Sequence, residues 1–195
     1  MNGRNLTADA QRIYDLVCTT GAITVSQANK VLGANKKNGK SIISGLCGAR
    51  YVKWIAETYV TPFYVSTVNK NAIYCLHVAL DLLSDENGNI QEEKLSQITE
   101  CSGVVEFSYI QNNNAVINMV YLDENDNAKI PASVQRFYDF SGVAKGEEKT
   151  AGVIYMFVTS SEKMLLKLKD SKLAFPHKIA FLSGDIENAP DIKYL

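Results

Sequence analysis

Hydrophobic positions near the start of the chain repeat at helical spacing. In the segment ADAQRIYDLVCT, Ile13, Leu16 and Val17 lie three or four residues apart, which is the spacing of a helix with one apolar face. Thr7 belongs to the residue types that cap a helix N-terminus, and Gly21 is typical of the position just past a C-terminus. The pattern therefore predicts a first helix between these two residues.

Two more helices are predicted before residue 51. Thr24 can cap a short second helix that ends at Gly33. The third helix is expected to begin at residue 37 or 38 and to end at Arg50. Its apolar stripe consists of Ile42, Ile43, Leu46 and Cys47. Its opposite side carries basic and small residues, and small residues let a backbone approach another surface closely.

The period of the pattern changes to two after the third helix. The runs YVKWIAETYV and FYVST are separated by a turn at residues 61–62, and AIYCLHVAL follows a turn at residues 69–71. These runs predict a wing of two or three strands. Because three helices followed by a hairpin are the plan of a winged helix, residues 1–76 are predicted to form a winged helix-turn-helix domain.

The remaining residues, 77–195, are predicted to form a small mixed α/β domain, so the fold class is α+β. Short helices are expected at 77–83 and 92–100, followed by the hairpin strands VVEFSYIQ and AVINMVYL. A helix from Pro131, the strand GVIYMFVT, a helix with capping-box spacing from Thr159 to Glu162, and the strand KIAFLS complete the domain. The tail NAPDIKYL is expected to be irregular.

The charge of the chain is divided unevenly between these two parts. Residues 1–75 hold nine basic and three acidic side chains and carry +6, whereas residues 76–195 carry −7. This asymmetry predicts a polyanion partner for the first part only. Together with the predicted winged helix, it indicates that the partner is double-stranded DNA. Chance clustering of charge on a solvated face is the alternative.

The basic residues cluster around the third predicted helix. In helix-turn-helix proteins the second helix of the motif enters the major groove with its N-terminal part, where lysines meet phosphates. Lys40, Ser41, Ser44 and Asn38 are the candidates for contacts with bases. The full predicted DNA-binding set is Lys36, Lys37, Asn38, Lys40, Ser41, Ser44, Arg50 and Lys53.

The sequence predicts neither a catalytic site nor a cofactor or metal. His77 and His177 have no further ligand at metal-binding spacing, and phosphate-binding and nucleophile motifs do not occur. Residues 123–127 resemble a calcium loop, but its sixth position is Ala128 and its twelfth is Val134. We therefore expect a protein that is not an enzyme, with residues 123–127 forming a connecting loop.

Composition indicates a cytoplasmic protein without a membrane span. The apolar fraction is 46%, no apolar run reaches a membrane-spanning length, and the start MNGRN lacks a secretory signal. The four cysteines have no C-x-x-C spacing, so buried thiols in a reducing compartment are the better interpretation, and disulfides the alternative. They are Cys18, Cys47, Cys75 and Cys101.

The segments LTADAQRIYDLVCTTGAITVSQANKVLG and KSIISGLCGARYV, running into a wing, resemble winged-helix proteins of plasmids and conjugative elements, of the replication-relaxation type. The resemblance implies a bacterial mobile element and a second domain similar to the restriction-endonuclease fold. An active nuclease of that fold needs E-x-K on a hairpin strand. E-x-K occurs only at 92–94 and 147–149, and AVINMVYL offers Asn118, so the implied nuclease site is degenerate.

The leading hypothesis is a DNA-binding protein of a mobile element that acts in replication, transfer or regulation without catalysis. The first alternative is a transcription regulator whose second domain senses a ligand or forms a homodimer, which would pair two half-sites on DNA. Another is a winged helix that binds a protein and has no DNA affinity. The last is a nuclease that depends on Glu147 or Lys149.

Overall fold

The computed structural model describes residues 6–33, 38–96, 98–100, 103–111, 115–133, 152–173 and 175–195. The chain divides into two compact units, Met1–Ser96 with Glu187–Ala189, and Gln97–Ile186 with Pro190–Leu195. Helices and two β-sheets make up these units, which confirms the predicted α+β class. The predicted division after residue 76 falls inside a helix of the first unit.

The first two helices begin and end at the residues that the sequence indicates. Helix α1 spans Ala8–Thr20, and Thr7 caps it by accepting a hydrogen bond from the backbone of Ala10 at 3.3 Å. Gly21 follows it in the left-handed conformation, with φ 76°. Helix α2 spans Val25–Leu32 and begins with a capping box formed by Thr24 and Gln27.

Helix α3 spans Gly39–Gly48 and is shorter than predicted at both ends. It begins where a glycine is required, because a Cβ at Gly39 would lie 2.7 Å from Asn29 Oδ1 and 3.2 Å from the Cβ of Ala28. The Gly39 backbone N–H donates to Asn29 Oδ1 at 2.9 Å. A side chain of α2 thus satisfies a free N–H at the start of α3 and fixes the two helices together.

A three-stranded antiparallel sheet follows the order β1-β3-β2. Its strands are β1 Ile23–Thr24, β2 Val52–Ile55 and β3 Tyr59–Pro62. The hairpin between β2 and β3 turns inside YVKWIAETYV, so the prediction of a turn at 61–62 and of a second strand at FYVST was wrong. The turn was missed because its left-handed residues, Ala56 and Glu57, are not of the types that favour that conformation.

Helix α4, Lys70–Leu83, is the main buried helix of the first unit. Asn69 caps it by accepting from the backbone N–H groups of Asn71 and Ala72. The prediction that AIYCLHVAL continues the wing as a strand was therefore wrong. Because α4 is buried almost all round, its sequence carries an apolar run in place of a one-sided stripe.

The second unit is built on a six-stranded mixed sheet in the order β4-β5-β6-β7-β8-β9. The strands are β4 Thr99–Glu100, β5 Phe107–Gln111, β6 Ala115–Tyr121, β7 Gly152–Thr159, β8 His177–Asp185 and β9 Ala189–Tyr194. The pairs β4–β5 and β5–β6 are antiparallel, and β6–β7 and β7–β8 are parallel. The predicted hairpin and mixed sheet are thus confirmed.

The short elements around this sheet differ from the predictions. The predicted helix at 92–100 is reduced to α5, Glu92–Leu95, before β4. Helix α6, Glu162–Asp170, is capped by Ser161, whose hydroxyl accepts from the backbone of Met164 at 3.2 Å, and not by Thr159. The tail is strand β9, and Ile179 and Leu195 exchange two backbone hydrogen bonds beside it.

The apolar core of the second unit joins its sheet to α6. Met164 and Leu168 of α6 pack with Tyr155 and Phe157 of β7 in one buried cluster. Phe175 lies against both rings, with centroids 5.1 Å and 6.2 Å away. The loop at 123–127 connects β6 to a helical stretch at 129–133, as the sequence predicts, but this stretch begins two residues before the predicted start at Pro131. The rest of the predicted helix lies outside the described residues.

Candidate nucleic-acid interface

Helix α3 has two contrasting faces. Its inner face is buried at Gly39, Ile43 and Leu46. Its outer face is exposed and consists of one basic residue and four small ones, namely Lys40, Ser41, Ser44, Gly45 and Gly48. A Cβ added at Gly45 or Gly48 would meet no atom within 4 Å. The outer face is therefore low and open, so another molecule can approach the helix backbone closely.

Three of the remaining predicted contacts, Lys36, Lys37 and Asn38, precede α3 in the sequence. Lys36 and Lys37 lie outside the residues that the structure describes. Asn38 is exposed and precedes the helix, and its carbonyl oxygen accepts from the backbone of Ile42 at 3.1 Å. Its side chain makes no capping hydrogen bond. The Asn38 amide is thus placed at the positive end of the helix dipole.

The two serines of the outer face differ in their hydrogen bonds. The Ser44 hydroxyl donates to the backbone carbonyl of Lys40, one turn earlier, at 2.9 Å. Its oxygen therefore faces a ligand mainly as an acceptor. Ser41 is exposed on the same helix. Together the serines and Lys40 offer both donors and acceptors along this face.

Arg50 follows α3 in an unusual backbone conformation. Its φ is 61°, in the left-handed region that glycine normally occupies after a helix. Its backbone N–H donates to the carbonyl of Cys47 at 3.0 Å, and its side chain is exposed. An arginine here costs stability relative to glycine, because its Cβ crowds the neighbouring carbonyl oxygen.

Five of the described basic side chains of the first unit fall into two groups. Lys30 pairs with Asp81 at 2.8 Å, and Lys70 pairs with Glu187 of the same unit at 2.6 Å. The second group consists of Lys40, Arg50 and Lys53. Within the described residues, no carboxylate lies within 4.0 Å of a charged group of these three. Among the described residues, no ion pair therefore neutralises their positive charge.

A second feature, which the sequence analysis missed, lies at the end of β3. The rings of Phe63 and Tyr64 are 48% and 79% exposed. Lys53, on β2, places its Nζ 6.0 Å from the centroid of the Phe63 ring. The sequence presents these aromatics as part of an alternating run, which predicts a strand, and it contains no signal for their exposure.

Tyr14 of α1 lies close to Tyr64, Tyr51 and the Cys18 thiol. Tyr14 of α1 and Tyr51 pack edge to face with centroids 5.3 Å apart. The pKa of Tyr14 is raised, mainly by its hydrogen bond with Cys18 and also by the nearby Tyr64 and Tyr51 hydroxyls. Burial raises the pKa of the Cys18 thiol. The Tyr14 hydroxyl and the Cys18 thiol are accordingly neutral at physiological pH.

Each histidine ring contacts a backbone carbonyl oxygen. His77 Nε2 lies 3.1 Å from the backbone oxygen of Glu187, and His177 Nδ1 lies 2.9 Å from that of Phe175. In the described part of the chain, no three histidine, cysteine or acidic side chains come together to hold a metal ion. Cys18 and Cys47 are partly buried, Cys75 is buried, and Cys101 lies outside the described residues.

The positions relevant to a nuclease carry other chemistry. Asn118 on β6 accepts a hydrogen bond from the Ser108 hydroxyl of β5 at 2.6 Å. Of the two E-x-K segments, 92–94 lies in α5, and Glu147 and Lys149 lie outside the described residues. The described strands therefore place an amide, and not a carboxylate, at the hairpin position that the sequence singled out.

Among the described residues, no helix has the length and apolar character needed to cross a membrane. Comparison with protein-family models, with curated proteins and with solved structures finds no match for this chain.

Proposed function

We propose that this protein binds double-stranded DNA through its first unit, which we interpret as a winged helix. The observation that carries the proposal is the outer face of α3, with Lys40 at its start and an open surface of serines and glycines behind it. In this interpretation α3 is the recognition helix, and the hairpin β2–β3 is the wing.

The order of elements supports this interpretation. The elements follow the order α1-β1-α2-α3-β2-β3, and β1 pairs with β3. Helices α2 and α3 approach each other closely at Gly39, and the β2–β3 hairpin follows directly after α3. A winged helix has the same succession of helices and hairpin. The major groove of B-DNA is about 12 Å wide and accepts an α-helix. A helix face of serines and glycines leaves room for a close approach.

The placement of charge also supports DNA as the ligand. Lys40 lies in the first turn of α3, Arg50 follows the helix, and Lys53 lies on β2. None of the three has an ion-pair partner among the described residues. Between residues 38 and 68 the single acidic side chain is Glu57. Phosphates could thus contact cations along the whole length of α3 and the hairpin, which would fix the register of the helix on the duplex.

We also propose that the protein acts without catalysis, in replication, transfer or regulation on a bacterial mobile element. The amide of Asn118 on the hairpin strand supports the first part, because a nuclease of the resembling fold needs a carboxylate there to hold a metal. The assignment to a bacterial mobile element rests on the resemblance of residues 6–33 and 40–52 to the replication-relaxation type of winged helix.

The test is fluorescence anisotropy of a labelled 30-base-pair duplex, titrated with the protein at several salt concentrations. We expect binding that weakens steeply with salt, with a log–log slope of about −0.9 per phosphate neutralised. Lys40→Ala should lower the affinity and reduce the magnitude of the slope by about one unit.

Lys169→Ala is the matched control, since Lys169 is an exposed helical lysine of the second unit. It should leave both the affinity and the slope unchanged. Absence of duplex binding at low salt would contradict the proposal and favour a protein-binding role for the first unit. Equal losses in the two variants would show that binding is non-specific attraction, and not contact by α3.

A further inference from the structure

Two neighbouring aromatic rings project from the first unit close to the proposed DNA-binding face. We use the term aromatic patch for Phe63, Tyr64 and Lys53. Tyr64 is 79% exposed, the largest exposed fraction of any large hydrophobic side chain in the described residues. Adjacent exposed aromatics cost solubility, and aromatic side chains are typical of binding surfaces.

The backbone under the aromatic patch is fixed by hydrogen bonds. The N–H of Phe63 donates to the carbonyl of Tyr51 at 3.1 Å, and the N–H of Val65 donates to that of Pro62 at 3.0 Å. The Thr61 hydroxyl donates to the Val65 carbonyl at 3.4 Å. The rings are therefore carried by an ordered turn, so a ligand that stacks on them pays little for ordering the chain.

The aromatic patch combines ring surface with positive charge. Lys53 Nζ lies 6.0 Å from the Phe63 ring centroid, and the backbone partner of Phe63 is Tyr51, directly after Arg50. A ring face beside a cation matches a nucleotide, whose base stacks while its phosphate meets the ammonium. A wholly apolar protein partner would leave the Lys53 charge without a counterion.

We propose that the aromatic patch stacks an unpaired base of DNA, so that the protein prefers a duplex with a single-stranded branch to a plain duplex. The inference rests on the proposed function, which accounts for binding of the duplex arm. The aromatic patch adds a second contact with the same DNA molecule. Stacking requires an unpaired base because the faces of paired bases are covered by their neighbours in the duplex.

The experiment compares a 30-base-pair duplex, a forked duplex of the same length with a short unpaired arm, and a single strand, all by anisotropy. The fork carries 2-aminopurine in its arm, since the fluorescence of this base reports stacking directly. We expect the fork to bind about 5- to 150-fold more tightly than the duplex, the range that base–aromatic stacking gives. The 2-aminopurine signal should change on binding.

Tyr64→Leu removes a ring that is mostly in solvent and should leave folding intact. This variant should lose most of the preference for the fork and the 2-aminopurine signal, with duplex affinity unchanged. Tyr64→Phe, which keeps the ring, should behave like the wild type. Phe63→Leu gives an independent test of the second ring, with the same expected result as Tyr64→Leu.

The outcomes separate this proposal from the proposed function. Duplex binding that depends on Lys40, with equal affinity for the fork in wild type and Tyr64→Leu, overturns the aromatic patch alone. Single-strand binding that depends on Tyr64, without duplex binding, supports the stacking site and overturns α3 as a recognition helix. A self-associating protein that Tyr64→Leu makes monomeric in sedimentation, with unchanged DNA binding, would assign the rings to a dimer and overturn the stacking site.

Discussion

The backbone N–H of Tyr51 donates to the carbonyl oxygen of Leu46 at 3.0 Å and closes the end of α3. The Arg50 N–H donates to the Cys47 carbonyl, and the two bonds together form a Schellman motif. In this motif the residue directly after the helix C-cap is normally glycine. Here Arg50 occupies that position with φ 61°. Because this strain is uncommon away from functional positions, we expect the Arg50 side chain to contact DNA in the proposed complex.

Replacing Arg50 with glycine should separate stability from binding. Because glycine adopts the left-handed conformation without strain, Arg50→Gly should raise the free energy of unfolding by about 0.5–1 kcal/mol. Urea denaturation followed by circular dichroism measures this change. The same variant should bind the 30-base-pair duplex more weakly, with a lower salt dependence, because one phosphate contact is lost.

Arg50→Lys is the control for this prediction. It keeps both the charge and the strained backbone, so its stability should match the wild type and its duplex affinity should stay close to it. If Arg50→Gly binds DNA as well as the wild type does, Arg50 is only a helix-capping residue and does not contact DNA.

The glycines of α3 should respond oppositely to alanine. Gly39→Ala places a Cβ 2.7 Å from Asn29 Oδ1 and 3.2 Å from Asn29 N, so it should destabilise the protein by about 1–3 kcal/mol. Gly45→Ala has open space and should stabilise it by about 0.5–1 kcal/mol, because alanine favours the helix. Thermal unfolding of both variants tests the pair, and an equal fall in Tm would contradict the assigned faces of α3.

The sequence predicts the helices of the first unit well wherever a cap and a one-sided stripe coincide. Thr7, Gly21 and Thr24 all act as their residue types indicate. The stripe of α3 also places Ile43 and Leu46 inside and Lys40 outside. The candidate interface could be predicted to this extent because local spacing alone determines which side of a helix faces the core.

Other features depend on contacts that are distant in sequence. AIYCLHVAL is apolar enough for a buried strand or a buried helix, and only the packing around α4 decides between them. The tail becomes β9 because β8 offers it an edge, which its own residues do not reveal. The exposure of Tyr64 likewise follows from where β3 ends, at Pro62.

The hairpin between β2 and β3 stores strain that glycine should relieve. Ala56 and Glu57 have φ of 51° and 57°, and the Thr58 N–H donates to the Ile55 carbonyl at 3.3 Å, which makes a type I′ turn. Glu57→Gly should raise the free energy of unfolding by about 0.5–1 kcal/mol. Thr58→Gly, at a position with ordinary φ, should lower it, and a stability gain in both variants would contradict the turn geometry.

The hydroxyl of Tyr109 should be dispensable for stability. Tyr109 lies on β5 with 1% of its surface exposed, and its hydroxyl oxygen has no hydrogen-bond partner in the described part of the chain. A buried hydroxyl without a partner carries an uncompensated desolvation penalty. Tyr109→Phe should therefore raise the free energy of unfolding at pH 7 by about 1 kcal/mol in urea denaturation. Tyr109→Leu, which also removes the ring, should be strongly destabilised.

The stability gap between wild type and Tyr109→Phe should widen in alkali. Burial raises the pKa of Tyr109 in the folded protein, whereas tyrosine in an unfolded chain ionises near pH 10. Above that pH the unfolded state has lost a proton that the folded state keeps, so unfolding becomes easier as pH rises. The contribution of the protonated Tyr109 hydroxyl to the free energy of unfolding is complete below about pH 9. Above about pH 10 it is lost progressively, by at most about 1.4 kcal/mol per pH unit.

Urea titrations from pH 7 to 11 should show a constant difference in unfolding free energy between wild type and Tyr109→Phe at first, and a growing difference at higher pH. Parallel curves throughout would mean that the Tyr109 hydroxyl ionises as readily in the folded chain as in the unfolded one.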